Sequence, residues 1–186
     1  MNRCKWVNLK NELYAKYHDE EWGVPSYDDG YLFEMLVLES FQAGLSWECV
    51  LNKRENFRRA FDGFDYKKIA CYGDEKVEEL KNDSGIIRNR LKICACIENA
   101  KVFMEIQREF GSFNDYIWHF TGGEQVVNLD DNFKTNSKLS DEVSKDLQKR
   151  GMRFVGSTII YSYLQAIGVI DDHELNCDFR KRKNHM

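Results

Sequence analysis

The chain has 186 residues, 27 Lys plus Arg against 31 Asp plus Glu, and a formal net charge of −4. That length fits one domain, or one domain with two lobes, and it buries a real core. The acidic balance excludes a protein that is basic all over, though not one with a local basic patch, and the absence of any run of about 18 apolar residues excludes a spanning helix.

Residues 1–27 crowd Cys4, Trp6, Tyr14, Tyr17, His18 and Trp22 into a segment with little periodicity that ends in YHDEEWGVP. Dense aromatics are ordinarily core. They also build a slot for a flat ring, because aromatic faces stack. The opening MNRCKWVNLK lacks the apolar core of a secretory signal, so cytoplasmic residence is expected. Six cysteines in that compartment read as thiols or metal ligands, not as a disulfide framework. One proline suits a helix-rich chain.

The next stretch, LFEMLVLESFQAGLSW from Leu32 to Trp47, reads as a helix capped by Asp28 or Asp29. Glu39 shares its face with Leu32, Met35, Leu36 and Ala43. A carboxylate in an apolar stripe costs several kcal/mol unless something pairs with it. Either it sits half exposed or against an arginine, or it floors a pocket and waits for hydrogen bonds from a ligand. The helix is expected to stop at Gly44, leaving Leu45 as an exposed apolar turn residue. Ser46 caps a further helix from Trp47 through Val50, Leu51, Phe57 and Phe61, with Lys53, Arg54, Arg58 and Arg59 outside, until Gly63.

Asp65 and Asp74 read as caps of two short helices, and a longer helix is expected over 86–110 with Arg88, Arg90 and Lys92 near its start. Cys94 and Cys96 point apart on a helix, so they read as core thiols. Ser112 caps a helix carrying Phe113, Tyr116, Ile117 and Phe120. Residues 121–138 read as loop, and Val126–Val127 is too short to count as a strand. Ser140 is expected to cap a helix carrying Val143 and Leu147 that ends at Lys149, Arg150 and Gly151. Gly156 and Ser157 open the next, making a helix–loop–helix unit over about 139–168. Glycines and helix N-terminal amides suit a DNA phosphate, helped by Lys149, Arg150 and Arg153, but an ordinary helical corner has the same pattern. In DDHELNC, His173 and Cys177 lie four apart, adjacent if helical. The basic end, about 180–186, reads as a disordered tail.

Two constellations emerge. Cys4, His18, His173 and Cys177 have the chemistry of a tetrahedral zinc site, although only His173 and Cys177 are compactly spaced. Four protein ligands leave no open position, so such a site is a structural staple of 1–27 to 171–177. Glu39 with Trp6, Tyr14, Tyr17, Trp22 and Trp47 has the chemistry of a slot for a flat, cationic, hydrogen-bond-donating ring. An alkylated purine fits that description. Enzymes acting on bases in a duplex flip them out, and Leu45 is placed to fill the gap.

With RCKW, YHDEEWG, LFEMLVLESFQAGLSW, KRENFR, SGIIRNRLKI, KRGMRFVGSTIIYSYLQAIG and DDHELNC in order from Arg3 to Cys177, the chain resembles the 3-methyladenine DNA glycosylase I family of the helix-hairpin-helix superfamily. The resemblance implies an all-α fold in a single domain, 1–186. It implies a zinc ion on Cys4, His18, His173 and Cys177 that ties the termini. It implies Glu39 as the base-recognition carboxylate among Trp6, Tyr14, Tyr17, Trp22 and Trp47, and DNA contacts at Gly44, Leu45, Lys149, Arg150, Gly151 and Gly156. The implied activity is monofunctional: a monomeric N-glycosylase flips and hydrolyses 3-methyladenine from double-stranded DNA, leaves an abasic site and releases the free base. The larger superfamily often activates water with an aspartate beyond the hairpin, near Asp171 and Asp172 here; the resembled family is described as lacking it. A non-catalytic DNA-binding module and a metal-dependent phosphohydrolase built on His18–Asp19 and Asp172–His173 are the rival readings.

Overall fold

Side-chain caps set where most of the helices begin. The structure is a computed structural model that describes residues 1–129 and 134–180; the basic end from 181 onward lies outside them. Helix α1 (Glu12–Glu20) starts on Asn11, α2 (Asp29–Gln42) on Asp28, α3 (Trp47–Leu51) on Ser46 and α5 (Tyr66–Ile69) on Asp65. Helix α4 (Arg54–Ala60) follows α3 after a short break, and α6 (Asp74–Asn82) starts on Gly73 with Asp74 in its first turn. Helix α7 (Arg90–Phe110) starts on Asn89 and α8 (Phe113–His119) on Ser112. Each capping oxygen satisfies an amide that the first turn leaves without a partner.

Several boundaries differ from the sequence expectation, and the caps explain them. The α7 helix begins at Arg90 and not at 86, because Asn89 accepts from the Lys92 amide. Helix α9 (Lys138–Lys149) begins before Ser140, because Ser137 and Ser140 form a reciprocal capping box. Helix α10 (Ser157–Ala166) follows, with Gly156 at its N-cap. The expectation of no strand is corrected. Val126–Val127 (β1) and Ile170–Asp171 (β2) pair in parallel, Val126 opposite Ile170. Two residues are too few for alternation to register in a sequence. His173 and Cys177 are likewise not on a helix; they follow β2 in a turn closed by Cys177 N–H to Glu174 O at 2.9 Å.

Helix α2 is the hub. Its Leu32, Phe33, Met35, Leu36, Leu38 and Phe41 are wholly buried. Phe41 packs on Phe57, and Phe33 on Phe103. Glu34 on α2 is also buried, and it draws Arg54 inward: Arg54 donates to Glu34 at 2.5 Å and to Glu21 at 2.7 Å. Arg54 therefore does not sit on an outer face, because two carboxylates near the core need a cation. Cys96 is buried and Cys94 half-buried, both free thiols.

The N-terminal segment is clamped to the end of α10. Gly23 N–H donates to Gln165 O at 2.9 Å and Ser26 N–H to Ile167 O at 3.0 Å. Gly168, at φ +73°, lies so close to this segment that a Cβ would stand 2.2 Å from the Val24 carbonyl carbon. Only glycine fits both the backbone angle and the approach. Gly168→Ala is therefore expected to lower unfolding free energy by at least ~2 kcal/mol, read as a shift of the urea midpoint; an unchanged midpoint refutes the close approach.

Candidate active site

A cavity of about 540 Å³ opens between α1, α2 and α10. That volume suits a single small ring system. All five aromatics expected from the sequence line it, together with Glu39. Tyr14 and Tyr17, three apart on α1, share the face turned to it. Trp6 stands 4.8 Å from Trp22 and 5.3 Å from Tyr14, centroid to centroid; Tyr17 stands 5.2 Å from Trp47. Flat walls thus come from two aromatic groups, one at the N-terminus and one at the α1–α3 contact.

Glu39 is 2% exposed, and its Oε2 has no hydrogen-bond partner among the described residues. The edge-of-stripe reading fails on burial. The arginine reading fails because Arg54, the buried guanidinium nearby in sequence, is committed to Glu34 and Glu21. Burial pushes the Glu39 carboxyl well above the ordinary carboxylate range. Burial, then the Glu48 and Glu39 carboxylates, pushes the Tyr14 hydroxyl up to about 12, and burial with Glu39 raises Tyr17 well above its usual value. Gln42 Oε1 and Trp47 Nε1 are also buried without partners among the described residues, and both residues line the same cavity. Two acceptors and one donor therefore wait together among aromatic rings. Buried polar atoms are normally satisfied, so three orphans in one cavity mark the place of a ligand.

The opposite wall is the polar stripe of α10: Thr158, Tyr161, Ser162 and Gln165, at three-, four- and seven-residue spacings. Sequence reading missed this stripe and Gln42, because Ile159, Ile160, Leu164 and Ile167 dominate the pattern there. Asp172 also lines the cavity. Its carboxylate accepts from Gln165 Nε2 at 2.5 Å, from Tyr161 at 2.9 Å and from Asn128. Asp171 turns away from the cavity and accepts from His173 Nδ1 at 2.7 Å.

Behind Trp22 lies the cysteine and histidine group. Cys4 Sγ, His18 Nε2 and Cys177 Sγ all lie within 4.8 Å of one another, and all three residues are buried. His18 Nε2 is 3.6 Å from Cys177 Sγ. Asp19 holds His18 Nδ1 at 2.8 Å, as Asp171 holds His173 Nδ1, but His173 does not fall within 4.8 Å of all three members of that group. His173 Nε2 is buried without a partner, and its ring stands 5.0 Å from that of His18. Trp22 packs edge-on against His173 at 4.6 Å, joining this group to the cavity wall.

Between the lining residues Gln42 and Trp47, Gly44 takes φ +80° and Leu45 is 42% exposed. In the α9–α10 loop, Gly151 takes φ +103° and Lys149 is exposed. Arg150 instead pairs with Asp146 and Glu109, each at 2.6 Å, and lies over Phe110 and Tyr116.

Residues 6–181 match the family model described as methyladenine glycosylase. The chain is 46% identical over 181 residues to DNA-3-methyladenine glycosylase 1 of Escherichia coli, covering 95% of this chain and 96% of that protein. It is 41% identical over 178 residues to the DNA-3-methyladenine glycosylase of Haemophilus influenzae, covering 94% and 96%. It superposes with a TM-score of 0.93, at 32% identity and 99% coverage of both chains, on the 3-methyladenine DNA glycosylase I of Staphylococcus aureus, a structure concerned with 3-methyladenine recognition.

The Glu39 environment fixes a pH dependence. A carboxyl whose folded pKa is raised favours the folded state fully only below its unfolded pKa, about 4.3, and loses that contribution as pH rises toward the folded value. Glu39→Gln does not titrate. Its melting temperature is expected to match wild type near about pH 4 and to exceed it increasingly toward about pH 8; a difference independent of pH contradicts the uncompensated burial of Glu39.

Proposed function

The chain belongs to the methyladenine glycosylase family, and from that membership we propose that it excises 3-methyladenine from alkylated DNA, hydrolysing the N-glycosyl bond and leaving an abasic site. The observation that carries this reading is the trio of orphaned polar atoms on Glu39, Gln42 and Trp47 inside an aromatic slot. A methylated base in DNA is cationic. Glu39 ionises against it and accepts from its exocyclic amino group, while Trp6, Tyr14, Tyr17, Trp22 and Trp47 offer faces that favour a cation. An unmethylated adenine brings no charge and leaves the carboxyl neutral, so the slot discriminates by charge as well as by shape. Because methylation already makes the base a good leaving group, positioning and charge stabilisation account for the rate without a strong general base.

The remaining roles follow from placement. Extruding the base from the duplex leaves a gap, and Leu45 on the Gly44 turn fills it. We read α9, its loop and α10 as the helix-hairpin-helix. Its Gly151–Gly156 backbone amides and Lys149 hold phosphate. Arg150, engaged by Asp146 and Glu109, braces the loop from behind. The enzyme acts as a monomer, in one domain, in the cytoplasm where DNA lies; no described helix is long and apolar enough to cross a membrane.

A structural zinc ion fits the buried Cys4, His18 and Cys177, with His173 as the fourth ligand. Tetrahedral zinc with thiolate and imidazole ligands sets its donors about 3.6 Å apart, which is the His18–Cys177 separation. The orphaned Nε2 of His173 needs such a partner, and the Asp19 and Asp171 carboxylates orient the two rings as outer ligands do. When bound, the ion ties the N-terminal segment to 171–177 and backs Trp22. The phosphohydrolase reading is not supported here, because Asp19 is turned to His18 Nδ1 and Asp172 is engaged by Gln165, Tyr161 and Asn128.

Two measurements test this. Methylated DNA incubated with the protein should release free 3-methyladenine; Glu39→Gln should slow release by ~5- to 150-fold, the equivalent of about 1–3 kcal/mol for a hydrogen bond to a charged group. Binding of DNA without base release overturns the activity, and wild-type rates in the variant overturn the role of Glu39. Separately, metal analysis should find ~1 zinc per chain, and Cys177→Ser should lower the melting temperature more than the activity per folded molecule; metal-free protein of full stability overturns the staple.

A further inference from the structure

Lys92, in the first turn of α7, is 6% exposed. Its ammonium donates to Phe41 O at 2.8 Å and to Ala43 O at 2.5 Å. Those are carbonyls at the C-terminal end of α2, where the helix leaves acceptors unpaired and a cation meets the negative end of the dipole. The next contact along the chain, Leu45 N–H to Gln42 O at 2.6 Å, fixes the turn that carries Leu45. On its other side the ammonium stands 5.9 Å from the ring of Phe154. Phe154 belongs to the α9–α10 loop and takes φ +56°, a left-handed angle that a bulky side chain adopts only when its surroundings impose it. Seven residues along α7 from Lys92, Asn99 grips the same loop. Its side chain donates to Arg153 O and accepts from Arg153 N–H, both at 2.9 Å.

Among the described residues, Lys92 forms no ion pair. Burial lowers its pKa, so the charge is costly where it stands. What the lysine supplies is a three-way junction: the end of α2, the start of α7 and the loop between α9 and α10 meet on one nitrogen.

We propose that Lys92 is a positioning residue that holds the Gly44–Leu45 turn in register with the α9–α10 loop, so that the wedge and the phosphate clamp engage a duplex together. The proposal rests on the reading of Leu45 and the loop given above. Single-stranded DNA has no opposing stack to fill, so the register matters for duplex alone.

The test compares release of 3-methyladenine from the same alkylated DNA as duplex and as single strand. Wild type, Lys92→Met, Leu45→Ala and the double variant are assayed side by side. Lys92→Met is expected to lower the duplex-to-single-strand rate ratio by ~10-fold, on the scale of a small misplacement remote from the chemistry. Its single-strand rate should stay within ~2-fold of wild type and its affinity for free 3-methyladenine should not change. The double variant should lose no more than the worse single one, because both act on the same turn. Lys92→Arg, which keeps donor and charge, should recover most of the ratio. A purely structural lysine would depress both substrates equally, and that result overturns the proposal. A wild-type ratio in Lys92→Met beside a lowered ratio in Leu45→Ala overturns it alone; wild-type ratios in both overturn the wedge reading with it. If Lys92→Met does not fold, Phe154→Leu probes the junction from the loop side: a lowered ratio supports the proposal and a wild-type ratio overturns it.

Discussion

The structure depends on one uncompensated group: a carboxyl buried in the middle of α2, whose Oε2 has no partner among the described residues. A protein that gave Glu39 an arginine would gain stability and lose the site. The same helix shows the contrast five residues earlier. Glu34 is also buried, yet Arg54 and Arg58 neutralise it, and Glu34 lines no part of the cavity. One face of α2 is thus a solved electrostatic problem that anchors α4, and the other is left open for a ligand. Marginal stability makes such a choice expensive, since a few kcal/mol is a large share of the whole. Retention of the strain at Glu39, Gln42 and Trp47 is the physical signature of a binding site.

The rest of the molecule holds that site open. Aromatic walls come from the first residues of the chain, which have little secondary structure of their own. They are held by the Cys4–His18–Cys177 group, by Trp22 against His173 and by the approach of Gly168 to the 22–26 segment. The far wall is α10, fixed to α9 by Ser144 Oγ to Val155 O at 2.7 Å and by the Ser140–Ser157 contact. One helix, α7, then reaches both the end of α2 and the α9–α10 loop, through Lys92 and Asn99. The turn after α2 and the α9–α10 loop are therefore linked through α7, although their residues lie far apart in sequence.

Much of the site was legible in the residues. A glutamate on an apolar stripe beside dense aromatics pointed to the slot, and the caps at Ser46, Asp65 and Ser112 placed three helix starts. What escaped has common causes. The β1–β2 pair is two residues long, and its pairing is set by tertiary return, not by pattern. Arg54 looked like a surface cation because the break between α3 and α4 changes which face points inward. Arg150 looked free for phosphate because its partner Glu109 is 41 residues away in sequence. Gln42 and the α10 stripe carry ordinary polar residues, and only the orphaned atom and the cavity they share reveal them. Cys4 and His18 had the right chemistry but no compact spacing to Cys177, and only the fold brings the three together.

The central claim is that the cavity keeps a carboxyl neutral until a cationic base arrives. Titration of the Glu39 carboxyl by carbon-13 NMR tests it most directly, in the free protein and with a permanently charged, dimethylated adenine bound. The account predicts a titration well above the ordinary carboxylate range in the free protein and a marked fall in the complex. An ordinary carboxylate titration in the free protein, unmoved by the ligand, would contradict it.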